Sequence, residues 1–176
     1  MNNLQEDIKK HLREIPDFPK EGVLFYDITT VWGNSDLNRE IIKDIAYHYQ
    51  DAKITKIVGI ESRGFVSGAM LAFYMDVPFV PIRKKGKLPY KTISTTYDTE
   101  YSKDTIEMHE DAIEKFDIVL IHDDILATGG TMAAAIELIE KHCQYVHCSS
   151  IIDLKDLGGK QLIENRGKEI YSILSV

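Results

Sequence analysis

The segment Val119 to Thr131, VLIHDDILATGGT, constrains the chain more than any other. Val119, Leu120 and Ile121 form an apolar, β-prone run. Met132, Ala133, Ala135, Ile136, Leu138 and Ile139 follow at helical spacing. A buried strand must therefore pass into a helix through two adjacent carboxylates and a stretch of small residues, which predicts an open α/β sheet with its ligand at the strand's carboxyl end. Ala127, Thr128, Gly129, Gly130 and Thr131 lack bulk. Their amides can turn inward at the positive end of the helix dipole and hold a phosphate, and the two threonine hydroxyls add donors. Asp123 and Asp124 are acceptors and suit the vicinal hydroxyls of a ribose 5-phosphate. A nucleoside triphosphate or dinucleotide fits less well, because neither GxxxxGK[ST] nor GxGxxG occurs.

Strand-like runs at 56–60, 78–82, 117–122, 146–152 and 170–174 alternate with helical patterns at 64–75 and 131–142. They predict a mostly parallel sheet flanked by helices. Leu4, Ile8 and Leu12 give a short amphipathic helix, expected as a lid or accessory element. Val23 to Ile28 reads as a strand. A further helix begins near Ser35 or Asp36 and buries Leu37, Ile41, Ile42, Ile45, Ala46 and Tyr49. Between Arg83 and Asp117, KTISTTYDTEYSKDTIEMH is rich in Thr and Tyr and predicts a polar antiparallel excursion able to close over a site.

At 176 residues the chain is expected to form a single domain, with an amino-terminal hood over about residues 1–34, a core over 35–176 and a mobile loop over about 84–110. No apolar stretch reaches membrane-spanning length, and the amino terminus does not read as a secretion signal, so a cytoplasmic protein is expected. A net charge of -7 opposes general affinity for nucleic acid. His142, Cys143, His147 and Cys148 offer four potential zinc ligands, but His147 and Cys148 should project from opposite faces of a strand, so no metal or disulfide is expected there.

A second strand-to-helix turn, Glu61, Ser62, Arg63 and Gly64, follows KIVGI at the same sheet edge. Arg83, Lys84, Lys85 and Lys87 then crowd one short window of an acidic chain.

The run DDILATGGT resembles the phosphoribosyl diphosphate signature of the type I phosphoribosyltransferases. In that family the acidic pair lies by the ribose and the ATGGT loop holds the 5-phosphate. By the same resemblance IVGIESRGF assigns Glu61, Ser62, Arg63 and Gly64 to the diphosphate. RKxGKLP is similar to the adenine-specific subgroup, which implies that Arg83, Lys84 and Lys87 reach the diphosphate, in part across a homodimer interface. IPDFPKEGVLFYDIT resembles the purine hood. It implies that the backbone around Val23, Leu24 and Tyr26 reads the base edge while Phe25 and Ile125 enclose its faces. Adenine suits backbone reading, since its amino group donates and N1 accepts, whereas hypoxanthine and guanine present the reverse. Relatives often carry Arg where this chain has Tyr26, so Tyr26 is expected to contribute backbone only.

YDTEYS resembles the family's YxLEYG, implying Glu100 as the group that handles a purine proton and Tyr101 as an aid to loop closure; Thr99 and Ser102 depart from the usual Leu and Gly. His109 is a weaker candidate base. The resemblance implies transfer of the phosphoribosyl group to adenine, with Mg²⁺ arriving on the diphosphate substrate rather than in an all-protein cage. The alternatives are another base, such as xanthine, hypoxanthine or orotate, and a regulator that uses the fold to bind nucleic acid.

Overall fold

The computed structural model describes residues 4–98 and 103–176. It begins with helix α1 (Leu4–His11) and a two-stranded antiparallel sheet of β1 (Arg13–Pro16) and β2 (Leu24–Asp27). Helices α2 (Thr29–Trp32) and α3 (Ser35–His48) follow. The Asn34 side chain caps α3 by accepting from the amides of Asp36 and Leu37, which fixes its start where the sequence predicts one. Strand β3 (Lys56–Ile60), helix α4 (Gly64–Met75) and strand β4 (Phe79–Lys84) form the first crossover, and β5 (Thr92–Asp98) and β6 (Lys103–His109) form a hairpin. Strand β7 (Ile118–Leu126), helix α5 (Gly130–Glu140) and strand β8 (Tyr145–Asp153) form the second crossover, followed by α6 (Gly159–Glu164) and β9 (Ile170–Ser175).

The main sheet has the order β5-β6-β4-β3-β7-β8-β9, parallel from β4 to β9 and antiparallel where β6 joins β4 and β5 joins β6. The chain leaves β3 toward one side and β7 toward the other, so the sheet reverses direction between these neighbours. Such a switch point opens a crevice at the carboxyl ends of the two strands. Successive residues of β7 feed opposite faces. Val119 and Ile121 join a core with α5, while Leu120 joins one with α3 and α4.

One strand is longer than expected. Strand β7 runs beyond the expected 117–122 because Asp123 pairs with Ser150 and Ile125 with Ile152 in register with β8. The acidic pair is thus built into the sheet, and Asp124 is buried. The amino-terminal helix is an accessory rather than a lid: Ile8 is fully buried in the core formed with α3 and β9. The antiparallel excursion expected between Arg83 and Asp117 is present as the β5–β6 hairpin, with Ile106 and Met108 in the core. His147 packs edge-on to Tyr49 while Cys148 lies in the core on the α5 side, so the two separate as predicted. The two cysteines are free, and among the described residues no three His, Cys, Asp or Glu converge on a possible metal position.

Immediately before the acidic pair, His122 is fully buried. Its Nδ1 lies 2.9 Å from the Ser149 hydroxyl of β8 and its Nε2 lies 2.8 Å from the Ser67 hydroxyl of α4. Burial lowers its pKa to about 3, so the ring is neutral, one nitrogen donating and the other accepting. This polar rod ties the elements behind the crevice together.

Candidate active site

Two helices start at the crevice without side-chain caps. At α5, Gly129 adopts φ +80°, a left-handed conformation that favours glycine, and it leaves the first-turn amides of the helix facing the crevice. At α4, Ser62 does not cap the helix, and the Glu61–Ser62 peptide bond is cis. A Cβ on Gly64 would lie 2.8 Å from Asp123 Oδ1 and 2.9 Å from the His122 carbonyl, so glycine there lets α4 press against the acidic strand. The two turns enclose a cleft of about 460 Å³. Glu61, Ser62 and Arg63 form one wall; Asp123, Asp124, Ile125 and residues 127–131 form the other; Phe25 overhangs it. Ile60, Leu126 and Met132 complete the lining.

The electrostatics of the acidic wall are unusual. Burial, then the neighbouring charge of Asp124, hold the Asp123 carboxyl well above the usual carboxylate range. Burial also raises Asp124, partly offset by Arg63. Arg63 Nε lies 3.1 Å from Asp124 Oδ2 but off the line of a hydrogen bond, leaving that oxygen buried without a donor. A ribose hydroxyl would satisfy it. The Arg63 guanidinium also sits 5.6 Å from the centre of the Phe25 ring, within cation–π range, so it bridges the hood to the acidic pair.

The basic cluster lies elsewhere. Arg83, Lys84 and Lys87 do not line the cleft of their own chain. Arg83 donates to Glu61 Oε1 at 3.1 Å and to the Lys87 carbonyl at 3.1 Å, while the Lys84 amide donates to Glu61 Oε2 at 2.7 Å. Burial alone would raise the Glu61 pKa; these donors outweigh it and hold the pKa below its ordinary value. The Glu61 side chain therefore shapes the basic turn, and only its backbone is suited to an anion. Glu107 of β6, which sequence reasoning missed, acts on the same turn. Its buried carboxylate accepts the amides of Lys87 at 3.0 Å and Leu88 at 3.1 Å. These bonds also outweigh burial and lower its pKa.

Among the described residues strand β2 has a strand partner on one edge only, leaving backbone groups on the other edge for a ligand. Leu24 and Tyr26 belong to it. Val23 is already engaged, donating to the Lys20 carbonyl and accepting from the Phe18 amide, so only the second lone pair of its carbonyl is open. Burial, then the charges of Glu14 and Asp156, raise the Tyr26 pKa. Glu100 and Tyr101 lie outside the described residues.

The phosphate loop has a support that the sequence does not announce. Gly159 opens α6 against it, and a Cβ there would fall 2.2 Å from the Ala127 carbonyl. The Ala127 oxygen is a backbone atom and the Gly129 amide nitrogen lies at 3.0 Å, so the loop itself would have to move. Gly159→Ala is expected to weaken ribose 5-phosphate binding about tenfold, as a small displacement of several aligned donors does, and to lower Tm. Wild-type affinity by calorimetry in a folded variant would show that the loop tolerates the shift.

Two helix starts without side-chain caps thus face one crevice at the switch point, with a buried acidic pair between them. Residues 34–160 match the phosphoribosyl transferase domain. The chain is 51% identical to an adenine phosphoribosyltransferase of Bacteroides fragilis over 98% of both chains. The chain belongs to the phosphoribosyltransferase family, in its adenine phosphoribosyltransferase branch. Its fold is similar to that of the Giardia lamblia enzyme solved with 9-deazaadenine, with a TM-score of 0.94 and 35% identity over 100% of this chain and 99% of that one. It is also similar to the Trypanosoma brucei enzyme solved with AMP, pyrophosphate and ribose-5-phosphate, with a TM-score of 0.88 and 27% identity over 98% of this chain and 79% of that one.

Proposed function

We propose that this protein transfers the phosphoribosyl group of 5-phosphoribosyl 1-diphosphate to adenine, giving AMP and diphosphate. The observation that carries the reading is the buried acidic pair, with its donorless oxygen, set between two uncapped helix starts. The loop 127–131 holds the 5-phosphate and Asp123 and Asp124 accept the ribose hydroxyls. The turn 61–64 receives the diphosphate through its backbone and Arg63. The base lies between Phe25 and Ile125 and is read by the open edge of β2.

During transfer the bond from the anomeric carbon to the diphosphate oxygen breaks and a bond to a purine nitrogen forms. Positive charge builds on the ribose ring, where the acidic pair stabilises it. Glu100 accepts the proton released by the purine. Mg²⁺ enters as part of the diphosphate substrate, whose charge it neutralises, and the carboxylate wall offers hard oxygen donors compatible with it.

The similarity of RKxGKLP to the adenine-specific subgroup supports a homodimer in which Arg83, Lys84 and Lys87 reach the diphosphate in part from a second copy. Sedimentation should give twice the monomer mass; a monomer with full activity would remove this part of the reading. We also treat hood, core and hairpin as one functional domain.

The test of the reaction is Mg²⁺-dependent diphosphate release with adenine, guanine, hypoxanthine, xanthine and orotate in parallel. Response to adenine alone is the expected result. Response to a different base would overturn the selectivity of the hood, and response to none would turn attention to a nucleic-acid-binding role.

A further inference from the structure

Among the described residues, strand β5 touches the phosphate loop through one polar contact that the proposed chemistry does not use. The Tyr97 hydroxyl lies 3.0 Å from the Thr131 hydroxyl, and Thr131 is in the first turn of α5, on the wall of the cleft. Two residues earlier Thr95, itself buried, donates to Glu137 at 3.2 Å, so β5 is anchored along α5 independently of that contact.

Each hydroxyl has one proton to donate and can also accept. With nothing else present, either may donate to the other. A phosphate in the loop removes this freedom, because a phosphate dianion only accepts. Thr131 must then turn its proton to the anion, and its lone pair is left for the proton of Tyr97. The three groups form a chain with one direction, and hydrogen bonds in such a chain polarise and strengthen one another. We infer that Tyr97 is a positioning residue that relays occupancy of the 5-phosphate loop to the β5–β6 hairpin. The inference rests on the proposed function for the identity of the anion, and the same hairpin leads in sequence to Glu100.

Hydrogen exchange with ribose 5-phosphate as the probe separates the two claims, since it needs no turnover. In the wild-type protein the sugar phosphate should slow exchange both in the loop 127–131 and in the strands 92–98 and 103–109. In Tyr97→Phe the loop should keep its protection while the ligand-dependent protection of the strands is lost. Thr95→Val, which removes an anchor away from the phosphate, should alter strand exchange equally with and without ligand. Steady-state kinetics of Tyr97→Phe should show kcat lowered about three- to tenfold, the worth of one ordinary hydrogen bond, with little change in KM for 5-phosphoribosyl 1-diphosphate. Equal ligand-dependent protection of the strands in wild type and Tyr97→Phe would overturn the relay and leave the phosphate site intact. A rise in KM without loss of kcat would also overturn it, since Tyr97 would then act as a simple binding contact. Absence of ligand-dependent protection in the loop itself would remove the proposed function and the relay with it.

Discussion

Asp123→Asn should lower kcat by about 10²- to 10³-fold, the scale set by removing one preorganised charge-stabilising group, and at neutral pH should make the protein more stable. The two effects have different sources. The loss in kcat comes from removing a carboxylate that faces the ribose. The gain in stability comes from burial and Asp124, which hold the carboxyl well above its usual range, so the folded chain binds the proton more tightly than the unfolded chain. Stability therefore falls as pH rises from the ordinary carboxylate range, near about 4, through the raised native value. Asparagine has no carboxyl to titrate. Its advantage in Tm should be small at acid pH and grow toward neutrality, reaching about 2–4 °C if the difference is about 1 kcal/mol. Calorimetric unfolding of both proteins across this range checks the sign. A Tm difference independent of pH would mean that the native pair does not retain the proton, and an unchanged kcat would remove Asp123 from ring-charge stabilisation.

The second large effect belongs to Glu100→Ala. If Glu100 takes the purine proton, its loss should reduce kcat by about 10²-fold or more, the usual contribution of a positioned general base. Binding of 5-phosphoribosyl 1-diphosphate, measured directly by calorimetry, should change little, because the ribose and both phosphate sites lie on other elements. The contrast with Gly159→Ala is useful, since that variant should lose affinity first. Unchanged turnover in Glu100→Ala would exclude the residue from proton transfer and return attention to His109.

The strands and helices around the crevice were legible because their apolar periodicities match the faces they bury. The strand-to-helix loop 127–129 was legible because small residues between an apolar run and a helical pattern leave few alternatives. The end of β7 was harder to place. Aspartate is a poor strand former, and it is pairing with β8, Asp123 with Ser150 and Ile125 with Ile152, that extends the strand through the acidic pair. Glu61 illustrates a different limit. Its position in the turn was evident, but the choice of Arg83 and the Lys84 amide as partners depends on packing between β3 and β4. Glu107 and Gly159 were hidden because their partners are backbone atoms distant in sequence, which leave no side-chain pattern to read.

Among the described residues, strands β1 and β2 pair only with each other and contribute no strand to the main sheet, whereas the acidic pair is woven into its centre. In the proposed reading, the edge of the base is read by this first piece of chain and the sugar is held by the second, with Ile125 of β7 closing one face of the base. Such modularity gives the scaffold room to evolve: the hood can drift or be exchanged to accept a new acceptor molecule while the costly machinery for handling the activated sugar is inherited unchanged.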